Sequence, residues 1–265
     1  MVDEITELVE RLSNPNLAEL DVITWGAPVP TFGNLEGAKI ATLGLNPSNK
    51  EFVDNSGNEL IGNARRFHTL SSLGLEAWED VQPCHLNSIV ELCNEYFLRN
   101  PYDGWFKRLD YLISGTSLSY YFPSSGACHL DLIPYATTTK WGELTNWQRN
   151  TLLKEYGDIL GELLRKSSIR LLVLNGKSVL DNFNKISDVN YEITLMEDWC
   201  LPRKDSTGVP GFSYEGICRN IGGVSLDEPL CVLGFNHNIQ SSYGITTAIQ
   251  ESIRKWIATK SASFL

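Results

Sequence analysis

The chain has 265 residues, 42% hydrophobic and 10% aromatic, a composition that builds a substantial core and excludes a disordered or fibrous chain. No apolar run approaches the roughly 20 residues that span a bilayer, and Met1-Val2-Asp3-Glu4 is acidic where a secretory leader is basic. A cytoplasmic chain with no membrane partner is therefore expected. The formal charge of −10 excludes binding of a polyanion by overall charge, because Lys and Arg supply most non-specific affinity for phosphates, so such a partner would need a local basic face.

Ile5, Leu8, Val9 and Leu12 recur at helical spacing and predict an amphipathic first helix. Residues 39–45 then form an apolar strand with too few charges to be half solvated, which reads as a central parallel strand. It runs into Asn46-Pro47-Ser48, a turn that puts an amide where open α/β sheets bind ligands. Helical spacing returns within 86–98 and 105–113. A second apolar run, 127–133, places Asp131 just ahead of Pro134, and a helix over 145–166 follows.

Ile169–Leu174 is the third strand, ending in Asn175-Gly176-Lys177. Residues 185–229 break the alternation with Pro202, Pro210, Gly208, Gly211, Gly216 and Gly222-Gly223, and read as an inserted loop and hairpin region within a single domain spanning 1–265. The fourth strand, 230–235, leads into Asn236-His237-Asn238 and a last helix over 245–257. The alternation predicts a three-layer α/β/α sandwich around a parallel sheet of four strands. The six cysteines form no Cys-x-x-Cys pair and the four histidines are scattered, so neither a metal nor a cofactor is expected.

Asn46-Pro47, Asp131-Leu132-Ile133-Pro134 and His237, each at a strand end and in this order, resemble the motifs of the uracil-DNA glycosylase superfamily. The glycine-flanked segment Gly57–Gly62 and the strand before Asn175 extend the resemblance over roughly residues 25–185 and 228–258. It implies a base-flipping hydrolase of the N-glycosidic bond, in which Asn46 positions the attacking water and His237 donates a hydrogen bond to the departing base. The iron–sulfur cluster of some branches has no matching cysteine spacing here.

In the base-reading slot the family's uracil readers carry Asn, and this chain has Asp131. A protonated Asp matches the amine and unprotonated ring nitrogen of cytosine, accepting from one and donating to the other. Where strict uracil enzymes block the pyrimidine 5-position with Tyr, the chain has Ser48, which leaves room for a substituent. The aromatic that sandwiches the base aligns with Leu60, which leaves Phe67 or Phe52 as stacking candidates. Arg65, Arg66, Lys140 and Lys177, with Asn238, Gln240 and Ser241 at the last turn, are the expected DNA contacts.

The expected partner is double-stranded DNA bound by a monomer. The target is a modified cytosine that the host lacks, such as the glucosylated hydroxymethylcytosine of phage DNA, excised in antiviral defence to leave an abasic site. A repair glycosylase for uracil or another deaminated base is the second reading, and a non-catalytic nucleic-acid-binding module the third.

Overall fold

The computed structural model describes residues 1–203 and 206–265. In chain order the elements are α1 (Val2–Leu12), β1 (Ile40–Gly44), α2 (Leu70–Leu73), α3 (Pro83–Asn94), α4 (Asp103–Ile113), β2 (Ala127–Asp131), α5 (Asn146–Tyr156) and α6 (Asp158–Arg165). These are followed by β3 (Leu171–Asn175), α7 (Lys177–Ile186), β4 (Glu192–Arg203), β5 (Ser206–Ile221), β6 (Val224–Phe235) and α8 (Thr247–Ser261). Every residue of β1, β2 and β3 is buried, the polar Thr42, His129, Asp131 and Asn175 included, as strands covered on both faces require. The one long helix expected over 145–166 divides into α5 and α6 at Gly157, where a Cβ would lie 2.5 Å from the Leu153 carbonyl oxygen.

The sheet is mixed and has six strands rather than four, in the order β2-β1-β3-β6-β5-β4. The first four are parallel, and β5 and β4 add antiparallel strands beyond β6. The two extra strands come from the 185–229 region, which continues the sheet. Gly222 and Gly223 both have positive φ, 59° and 83°, and join Ile221 to Val224 as a two-residue hairpin loop of the kind that matches strand twist. That turn lets β6 start at Val224, well before the apolar run from which a strand is legible.

The parallel register sets the functional edge. Gly44 pairs with Asp131, Leu43 with Leu174 and Asn175 with Phe235, so the turns after four strands open at one rim. Behind that rim lies an aromatic core: Phe67 stacks on Tyr96 at 5.2 Å, and Phe32 meets both edge-on. The outer hairpin is fixed by Trp199, fully buried, whose indole donates to Ser252 of α8 at 3.0 Å and meets Trp256 edge-on. Helices flank the sheet, and among the described residues no helix is long and apolar enough to cross a membrane.

Candidate active site

A cleft of about 360 Å³ opens at the carboxyl ends of β1, β2 and β3, within the range that holds a small ligand. Gly44, His129 and Asp131 line its base, Asn46 and Glu51 one side, Asn175 and Gln240 another, and Trp105 and Trp141 complete the lining.

Asn46 is held by its amide nitrogen, which donates to Thr137 Oγ1 at 2.9 Å and to the Tyr135 carbonyl at 3.3 Å. Thr137 spends its own proton on the Thr139 carbonyl at 2.7 Å, so its oxygen must accept from Asn46. Two acceptors therefore fix the orientation of the amide. Its oxygen remains for a water or ligand.

Asp131 is 8% exposed, and His129 Nε2 stands 3.4 Å from its Oδ1. The histidine is anchored on its other side, Nδ1 lying 2.6 Å from Thr42 Oγ1, which in turn is 2.5 Å from the Tyr120 hydroxyl. One direction satisfies every member: Tyr120 donates to Thr42, Thr42 to Nδ1, and Nε2–H faces the carboxylate. Gly44 makes the approach possible. A Cβ there would lie 2.2 Å from Asp131 Oδ1 and 2.9 Å from His129 Nε2, so no side chain fits without displacing the acid.

Glu51 closes the one-turn helix that Ser48 starts by accepting from the Lys50 amide at 3.2 Å. The carboxyl is 3% exposed. Tyr96 donates to Oε2 at 2.9 Å and Arg66 Nε stands 3.8 Å from the same oxygen. Burial pushes this acid up to about 7; Arg66 and Tyr96 oppose the rise and the Asp131 charge adds to it.

On the opposite side Asn175, 2% exposed, donates to Gln240 Oε1 at 2.6 Å and accepts from the Ile239 amide, and Gln240 donates to the Trp105 carbonyl at 3.2 Å. Asn238 accepts from the amides of Gln240 and Ser241, both at 3.0 Å, which shapes the wall as a turn.

Among the residues expected from sequence, the structure brings Asn46, Ser48, Asp131, Lys140, Asn238, Gln240 and Ser241 to this cleft. Others lie elsewhere. His237 is 3% exposed, does not line the cleft, and its Nε2 donates to the Trp199 carbonyl of β4 at 2.8 Å. The added hairpin supplies that acceptor, which is why four strands alone suggested a free imidazole. Phe67 and Phe52 are both 2% exposed and belong to the aromatic core, and Leu60 is tied to Phe52 by its backbone, off the cleft lining. The aromatic side chains that line the cleft instead are Phe32, Trp105, Phe106 and Trp141.

Arg66 is spent on the Lys50 and Asn100 carbonyls, Arg65 is off the lining, and Lys177 pairs with Asp181 on α7. Besides Lys140, a cation near this wall that spacing did not reveal is Arg108, one turn beyond Trp105 on α4, whose Nη1 stands 3.5 Å from the carbonyls of Ile239 and Gln240.

A His237→Ala chain is expected to lose about 2–3 kcal/mol of stability, from the lost bond and the vacated core volume. Its turnover should change less than about tenfold, the mark of a residue outside the chemistry. Chemical denaturation and single-turnover rates on the same sample check both.

No family model and no curated protein sequence matches the chain.

Proposed function

We propose that the chain is a DNA glycosylase of the uracil-DNA glycosylase type, built on that superfamily's three-layer sandwich, which takes a flipped cytosine-type base into this cleft and hydrolyses its N-glycosidic bond. The observation that carries the reading is the meeting of Asp131, an oriented Asn46 and two tryptophans in one pocket at the rim of a parallel sheet. A base cannot react inside the duplex stack, so a pocket with aromatic walls and a polar floor is what flipping requires.

Trp105 and Trp141 in the lining are the aromatic side chains assigned to stack on the base, an interaction of about 1–3 kcal/mol per base. The Asn46 oxygen holds the water that attacks C1′. The Asp131 carboxylate, faced by His129, suits a base edge bearing an amine, whereas a uracil edge would set a carbonyl against an oxygen that only accepts. Lys140 and Arg108 supply local positive charge to a chain that is acidic overall. Tyr243, 81% exposed just beyond Ser241, is the apolar ring available to fill the stack that a flipped base vacates.

Ser48 is exposed and lines the cleft. Ser48→Tyr should spare a small base and lower excision of one with a bulky 5-substituent by about tenfold to 200-fold, the range for steric discrimination in a pocket. Equal losses on both would reduce Ser48 to its capping bond.

The deciding experiment is abasic-site formation on duplexes containing cytosine, 5-hydroxymethylcytosine, its glucosylated form or uracil. The reading predicts cleavage after alkali at the modified cytosine. Retention of duplexes with no abasic site on any of them would mark a binding module, and excision confined to uracil a repair enzyme.

A further inference from the structure

In a glycosylase of this kind the broken bond leaves its electron pair on the base, and something must neutralise that charge. The imidazole expected to do so, His237, spends its proton on Trp199. Asp131 faces the His129 relay, and Lys140 is an exposed cation at the rim. Glu51 is different: it lines the cleft, it is buried, and both of its protein partners engage Oε2, so Oε1 is the oxygen left for a ligand.

We propose that Glu51 is the general acid of this cleft, delivering its carboxyl proton to the departing heterocycle as the N-glycosidic bond breaks. The inference rests on the glycosylase reading and names the group that reading lacks. The electron pair of the C1′–N bond passes to the base. The Glu51 proton forms a bond to the base, which leaves neutral. The water held by Asn46 bonds to C1′, and its surplus proton returns to the Glu51 carboxylate, so the net change is addition of one water across the bond.

The groups facing Glu51 suit the role. Arg66 and the Tyr96 hydroxyl hold one oxygen, Asp131 with its partner His129 lines the same cleft and its charge favours the protonated form, and burial keeps a proton on the acid up to about pH 7. The chemistry also selects a substrate class. Cytosine-type bases carry a ring nitrogen free to take a proton, whereas the matching nitrogen of uracil already bears one. A glycosylase working through Glu51 therefore favours amine-bearing pyrimidines with an unprotonated ring nitrogen.

The test is single-turnover excision from duplex DNA holding one target base, measured with the full chain between about pH 5 and 9. The wild-type rate should fall roughly tenfold per unit above about pH 7, and Glu51→Gln, which can still accept from Tyr96, should be about 10²–10³ slower with that limb gone. A 5-fluorinated base, a better leaving group, should narrow the gap. Tyr96→Phe keeps the ring and removes a donor to the carboxylate, so it should move the limb to higher pH; this keeps the test decisive if Glu51→Gln fails to fold. Unchanged rate and limb in Glu51→Gln, or an unmoved limb in a folded Tyr96→Phe, overturns the inference alone. Absence of excision by the wild type from every duplex overturns it together with the glycosylase reading.

Discussion

Replacing Asp131 with Asn is expected to move the preference of the cleft from a cytosine-type base towards uracil. The acid is 8% exposed at the base of the pocket, so it has little water to compensate a mismatched edge. An Asn amide in its place offers NH2 to a uracil carbonyl and its oxygen to the ring N–H, and the same NH2 opposes the cytosine amine. Sites that hydrogen-bond a substrate edge reject the wrong one by up to ~10⁴, because buried polar groups are left unpaired. The amide is close in size to the acid, so it fits beneath Gly44, where nothing larger is tolerated. The measurement is the ratio of excision rates on paired duplexes that differ only in the target base. An Asp131→Asn chain with full activity on cytosine-type DNA and none on uracil would make the residue a partner of His129 and nothing more.

Asn46→Ala should lower single-turnover excision by about 10²–10³ while leaving duplex binding within a few-fold. The loss is large because the amide is preorganised. Thr137 and Tyr135 hold its nitrogen, so no reorganisation is needed when the water attacks. Binding should survive because Trp105, Lys140 and the Asn238 turn are untouched. A folded Asn46→Ala chain that excises at the wild-type rate would return the residue to a turn-forming role, and the water would need another holder.

The parallel strands were legible because a strand buried on both faces has no regular polar alternation, and β1, β2 and β3 read as mostly apolar runs. The site edge followed, since turns after such strands share one rim. The outer strands were not legible. Nearly all of β4 up to Asp198 is exposed, with Ile193 and Leu195 both 57% exposed, so no apolar face marked it. Gly222-Gly223 between apolar runs was the available signal for a tight hairpin.

Glu51 escaped notice for another reason. A lone Glu after a turn looks solvated, and its burial comes from Tyr96 and Arg66, which only the tertiary fold brings to it. His129 had a clue within reach: Thr42 and His129 are polar residues at paired positions of adjacent buried strands, and such a pair has to satisfy itself. The aromatic lining of the cleft was not legible because Phe67, close to the first motif in sequence, packs in the core while Trp105 and Trp141 enter from distant segments.

The bond between His237 and Trp199 ties two parts of the molecule together. Asn236 adds to it, donating to the Pro210 carbonyl and accepting from the Phe212 amide of β5. The turn that forms one wall of the cleft is thus bolted to the outermost strands of the sheet, and through Trp199 to α8. The hairpin consequently acts as a brace: that wall and the sheet edge belong to one cooperative unit. The pocket stays open and shaped while empty, and an arriving ligand need not supply the energy to assemble it.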